Sequence, residues 1–284
     1  MSLLRFRGAR VPAAVSLALV LAPLLARADQ LPLWEFGAGL SVLDFPDYRG
    51  SDERNTLVLP IPYFIYRGEV VRIDRQGLRG LLFESERVEL DVSVNGSIPV
   101  KSEDNAARRG MPDLDPTLEI GPSLNVTVLG SERERTQLQL RLPIRAVFST
   151  DLSHVNSQGV VFEPKLNFDL RLREGGQGWR AGVGAGPLFV SDQYAQYFYS
   201  VAPAYATPAR PAYSASGGYA GTQASLSLTW RGGPWWVGAF ARQDWLKGAS
   251  FENSPLVKTD QAFSVGVAFA YVFARSSRLV EAYD

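Results

Sequence analysis

The stretch Gln137-Leu-Gln-Leu-Arg-Leu-Pro-Ile-Arg-Ala-Val-Phe148 decides the fold. Leu138, Leu140, Leu142, Ile144, Ala146 and Phe148 alternate with Gln137, Gln139, Arg141, Pro143, Arg145 and Val147. A period of two puts one set on each side of a β-strand. The run is about twice the ~5–6 residues of an ordinary soluble strand. Two more runs share the pattern. Phe162 to Leu172 places Phe162, Leu166, Phe168, Leu170 and Leu172 opposite Glu163, Lys165, Asp169 and Arg171, and Leu118 to Val128 places Leu118, Ile120, Leu124 and Val126 opposite Glu119, Ser123 and Asn125. One apolar and one polar face suit an antiparallel sheet whose two sides meet different media.

Outward from these runs, strands are predicted at about 33–43, 57–66, 69–74, 78–84, 87–98, 117–129, 135–148, 160–173, 178–190, 218–231, 234–246 and 262–273. Their connections alternate between long and short. With an even strand number, the long ones collect at one end and the tight turns at the other, which is the pattern of an outer-membrane barrel. The exception is Arg75-Gln76-Gly77, a tight turn at the long-loop end. The expected fold is therefore all-β: a transmembrane antiparallel up-and-down barrel of about 12 strands. Trp34, Trp179, Trp230, Trp235 and Trp236 fall near short-turn ends, where an interfacial ring girdle is expected, and Trp245 falls near the other end. The Leu138 and Phe162 faces would meet outer-membrane lipid. Glu119, Arg141, Arg145, Glu163, Lys165, Asp169, Arg171, Arg180, Arg242 and Asp244 would then line the lumen. Their mixed sign suits a lattice of ion pairs better than the single-sign ring of an ion-selective pore.

At the start of the chain, Arg5, Arg7 and Arg10 precede the apolar run Val11 to Leu25 and the small-x-small site Ala26-Arg27-Ala28. This predicts a secretory signal peptide over residues 1–28 and a mature single barrel domain over 29–284. The apolar run is shorter than the ~20 residues of a spanning helix and contains Pro12 and Pro23. Removing the signal leaves 25 basic and 29 acidic residues, a near-balance without the basic footprint of a nucleic-acid binder. An exported chain without cysteine has no disulfide framework.

The longest segment without the two-residue rhythm runs from Ser191 to Gly217 and reads as a long loop. It carries Tyr194, Tyr197, Phe198, Tyr199, Tyr205 and Tyr213, with Pro203, Pro208 and Pro211 forbidding a continuous strand. Rings at this density argue for packing over or into the outer mouth, or for a docking surface. Arg210, between two prolines, is placed to cap an inward acid and hold the loop down.

No catalytic, cofactor or metal site is predicted. His154 is the sole histidine, beside Ser153 and near Asp151, and adjacent loop residues rarely present a nucleophile to its base. Asp44, Asp47, Asp52 and Glu53 could at most hold calcium loosely.

Pro46, Tyr48, Gly50 and Ser51, then Pro60 with Tyr63, then Tyr197 to Val201, Arg210-Pro211-Ala212-Tyr213 leading to Gly217-Gly218, and Ser254-Pro255-Leu256-Val257 are also recognisable by order and spacing. Together they resemble the MipA/OmpV family. The resemblance implies a Gram-negative outer-membrane barrel that acts as a scaffold, bringing a lytic transglycosylase near a murein synthase; other members are linked to adhesion. A small-solute channel and a surface adhesin stay open as alternatives. The closing strand, Phe263 to Phe273, looks like the last strand of such a barrel, yet the chain continues to Asp284.

Overall fold

The computed structural model describes residues 29–282 apart from 69–70, 75–76, 132–133, 152 and 175; the predicted signal peptide lies outside the described residues. In chain order the strands are β1 (Asp29–Pro32), β2 (Trp34–Pro46), β3 (Arg54–Arg67), β4 (Val71–Asp74), β5 (Gly77–Glu84), β6 (Val88–Ser97), β7 (Thr117–Gly130), β8 (Thr136–Thr150), β9 (Val155–Phe162), β10 (Lys165–Glu174), β11 (Gln177–Val190), β12 (Gly218–Gly232), β13 (Trp235–Trp245), β14 (Gln261–Arg275) and β15 (Leu279–Ala282). One α-helix, α1 (Asp192–Tyr199), lies between β11 and β12.

From β2 to β14 each strand pairs antiparallel with the next, except β9 and β10, which lie end to end, and β14 pairs back onto β2, with Val267 opposite Val42. β8 pairs with both β9 and β10, and so does β11, so these two pieces are one stave interrupted at Glu163-Pro164. Pro164 has no N–H for the ladder, which explains the break. With that stave counted once, the sheet has the twelve strands that the periodicity predicts. The third and fourth predicted strands are separate: β4 pairs with β3 through Tyr66 and Arg67 only, and with β5 over Val71–Asp74. The turn at Arg75-Gln76 lies outside the described residues. One connection departs from expectation. The predicted long loop after Phe148 shrinks to residues 151–154, because β8 runs on to Thr150 and β9 starts at Val155.

Burial runs opposite to that of a soluble protein. Ile144 is 50% exposed and its neighbour Arg145 is 3% exposed. Likewise Leu118, Leu166, Phe168 and Leu172 are exposed while Glu119, Glu163 and Arg171 are buried. Apolar side chains facing outward all round a closed sheet suit lipid and would aggregate in water.

The girdle at the short-turn end is outward for most of the predicted rings: Trp179 packs with Trp230 at 6.4 Å between ring centroids, and Trp235 with Tyr271 at 4.9 Å. Trp236 does not belong to it. Being one residue on from Trp235, it points into the barrel and packs on Tyr63 at 5.6 Å, beside Ile65, Ala270 and Val272. The extension beyond Phe273 is structured as well: β15 pairs with β1, Leu279 opposite Pro32, and Leu31 is buried.

Candidate functional site

The site is the long-loop mouth together with the chamber beneath it. Residues 191–217 are a helix followed by a pinned irregular run. Ser191 supplies the N-cap, its Oγ accepting from the Tyr194 N–H at 3.4 Å, and Asp192 lies in the first turn, where the helix dipole favours an acid. Tyr194, Ala195, Phe198 and Tyr199 recur with helical spacing and are the buried face. That spacing was readable in the sequence, but three prolines further on hid it.

Loops 47–53, 98–116 and 246–260 close over this face. The Tyr199 ring stacks on Phe251 at 3.7 Å, and its hydroxyl donates to the Arg49 carbonyl at 3.0 Å. Ser254 Oγ donates to the Tyr199 carbonyl at 2.6 Å, and the Tyr48 hydroxyl to the Leu256 carbonyl at 2.8 Å. Burial pushes the Tyr48, Tyr194 and Tyr199 phenols well above the ordinary range, and it lowers Arg108, whose ring partner is Tyr48. The remaining rings are placed less deeply. Tyr197 is half-buried with its hydroxyl on the Asp115 carbonyl, Tyr213 is half-buried and pairs through its backbone with Val201, and Tyr205 is exposed.

Arg210 holds the loop down, but among the described residues it pairs with no acid. Its Nη1 donates to the carbonyls of Ala107 and Arg109, both at 3.0 Å, and its Nη2 to the Tyr205 carbonyl at 2.7 Å. The expected acid is replaced by backbone carbonyls left free by an irregular loop, to which a five-donor guanidinium is equally suited.

Beneath the lid the inward charges form a lattice. Arg145 bridges Glu119 at 2.8 Å and Glu163 at 2.6 Å, and Lys165 adds a second contact to Glu163 at 2.9 Å. Arg180 pairs with Asp169 at 2.9 Å, Arg171 donates to Gln137 at 2.9 Å, and Arg141 to Gln139 at 2.9 Å. Arg242 and Asp244 pair at 2.9 Å, and Asp244 also receives Arg49 at 2.8 Å. Sequence reasoning missed Arg49, because it sits in a loop, and it missed the lower knot of Glu35 with Arg67 and Arg231. Glu35 lies between Trp34 and Phe36, so the alternation itself could have marked it as inward. The lattice leaves two cavities, one of about 590 Å³ under the lid and one of about 340 Å³ below it, both bordered by Leu43, Arg141 and Phe240.

The acids at the end of β2 and in the loop after it serve as stitches. Asp44 pairs with Arg54 and accepts from Thr56 at 2.8 Å. Asp47 accepts from Asn55 and from Asn105, the latter at 2.7 Å, and burial raises it. Glu53 accepts from the Ala106 N–H at 2.8 Å. Among the described residues no acid or histidine cluster of metal-holding type occurs. His154 and Asp151 face solvent 3.6 Å apart, and Asp151 accepts the Ser153 and His154 N–H groups, which closes a turn and builds no nucleophile–base pair.

A closed antiparallel sheet with an apolar outside and a charged inside defines an outer-membrane β-barrel protein. Residues 38–273 match the family described as MltA-interacting protein MipA, and the chain belongs to that family. No curated protein matches it. Among solved structures it is similar to an outer membrane channel from Pseudomonas putida F1, with 13% identity, TM-score 0.43, and 87% of this chain and 98% of that one covered. It is also similar to the NanC porin, with 7% identity, TM-score 0.33, and 84% and 98% covered. A third is OprG from Pseudomonas aeruginosa, with 9% identity, TM-score 0.23, and 87% and 99% covered.

Proposed function

We propose that this chain is a scaffold of the Gram-negative outer membrane for murein-processing enzymes rather than an open pore. The observation that supports it is the apolar packing of Tyr199, Phe251, Leu246 and Leu256, all buried, across the long-loop mouth. A solute path would have to cross this packing. The family description names an interacting protein, and the resemblance points to a lytic transglycosylase with a murein synthase as partners. Short turns of such barrels face the periplasm. The β1/β15 ribbon therefore lies on the side where these enzymes work, and no chemistry of the barrel's own is required.

Two measurements test the reading together. Purified protein in a planar bilayer should stay electrically silent, and immobilised protein should retain a purified lytic transglycosylase. Steady conductance steps from the intact protein, with no enzyme retained, would overturn it. Deleting Ala195 to Tyr213 should open conductance while the barrel still assembles. The same preparation, taken from an outer-membrane fraction, should give an N-terminal sequence starting at Asp29 if the signal peptide is cleaved as expected. The second reading, a small-solute channel, is favoured by the 590 Å³ chamber and requires the lid to move.

A further inference from the structure

At Asp244 two guanidiniums share one carboxylate. Arg49 Nε donates to Oδ1 at 2.8 Å and Arg242 Nε to Oδ2 at 2.9 Å, while Asp244 itself is 1% exposed. Two guanidiniums on one carboxylate leave N–H donors to spare beside Asp244, although Asp47 and Asp91 balance the charge of the chamber lining as a whole. Opposite, Arg145 and Lys165 are matched by Glu119 and Glu163. The Arg242 side chain is 40% exposed although its strand face points inward, so its remaining N–H groups face the chamber.

Two residues earlier on the same face of β13 stands Phe240, 42% exposed and bordering both cavities. Its ring lies over Gly266, where a Cβ would collide with it, and beside Leu43. Positions two apart along a strand are separated by ~7 Å. A small ligand with a carboxylate at one end and an apolar body can therefore reach both side chains at once. A cavity of 590 Å³ is within the ~300–1,000 Å³ of small-molecule sites, which combine an apolar wall with a few convergent polar groups.

We infer that the chamber binds a small aromatic or otherwise apolar carboxylate, its anionic end on Arg242 and its apolar body over Phe240 and Leu43. The scaffold reading neither requires nor excludes this. Because the lid covers the chamber, binding should be slow, limited by loop opening.

The test is calorimetric titration of full-length protein in detergent micelles with benzoate, with benzamide and chloride as comparison probes. Benzoate should bind measurably, and benzamide and chloride at least tenfold more weakly. Arg242→Gln leaves Asp244 paired with Arg49 and should weaken benzoate at least tenfold. Phe240→Ala disturbs no ion pair and should weaken it several-fold. Heat-modifiable migration on gels confirms that each variant is folded. The inference is overturned if wild-type protein gives no binding heat, if benzamide matches benzoate, if chloride matches it, or if folded Arg242→Gln binds as wild type does.

Discussion

The mouth and the chamber below it share the same strands and use opposite chemistry. In the mouth, Tyr199, Phe251, Leu246 and Leu256 exclude water, and polar groups such as the Arg210 guanidinium end on backbone carbonyls. In the chamber the buried groups are Arg145, Glu163 and Glu119, tied from stave to stave, and Asp244, tied to Arg242 on its own strand and to Arg49 in loop 47–53. The difference follows from what each must do. Loops meet water above and need a core of the soluble kind to stay ordered. The inward strand faces must hold staves at a fixed spacing without filling the volume between them, which paired charges do and packed hydrocarbon does not.

Phe251→Ala should have the largest effect on the mouth alone. Deleting a fully buried ring should cost roughly 3–5 kcal/mol, confined to the lid. Protease should then cut within 191–217 while the barrel keeps its heat-modifiable migration. If the whole barrel melts with the lid, the two regions are one cooperative unit and the distinction fails.

Lipid is the third medium the strands meet. Leu140→Arg on the outward face should cost about 2–4 kcal/mol at mid-membrane. Gln139→Arg, one residue away on the buried polar face, should cost much less. Equal losses in folding yield would mean that the register is wrong, since a one-residue slip exchanges the faces.

Alkaline pH separates mouth from chamber without mutation. The phenols of Tyr48, Tyr194 and Tyr199 are raised by burial above the ordinary 10.0. An acid whose folded value is raised gives up protons first in the unfolded state. Stability from these groups is therefore whole below pH 10.0 and lost as pH climbs above it. Each phenol withdraws about 1.4 kcal/mol per pH unit in that window. Bilayer conductance should appear above pH ~10 and vanish on return to neutrality. Silence at pH 11, with the phenols shown by absorbance to be ionised, would contradict the packing of the mouth.

Much of the barrel was legible because membrane strands repeat one physical rule for a dozen residues. A soluble sandwich alternates too, so Leu138 to Phe148 pointed to a barrel only together with its length and the loop pattern. The inward residues from Glu119 to Asp244 followed from the same alternation. What escaped was decided by contacts the alternation does not encode. Helix α1 was hidden among prolines, Arg210 found carbonyls in loop 98–116 instead of an acid, Trp236 turned inward on the strand where Trp235 turned outward, and the tail after Phe273 paired with residues at the other end of the chain. Loop-to-loop pairing across more than a hundred residues leaves no local periodic signal.

The smallest effect divides the mouth itself. Ser254 is 3% exposed, its Oγ donating to the Tyr199 carbonyl at 2.6 Å and accepting from the Leu256 N–H at 3.2 Å. Ser250 makes a comparable bond at 2.8 Å to the Ser216 carbonyl, at an exposed rim. Where water can replace a lost donor the net cost is small, and where it cannot the abandoned groups lose solvation as well. Ser254→Ala should therefore loosen the lid by about 1 kcal/mol, and Ser250→Ala by close to nothing. Proteolysis rates within 191–217, measured at low protease so that cleavage reports the open population, give both values. If the two serines prove equivalent, water reaches Ser254, and the seal over the chamber is not as dry as its packing implies.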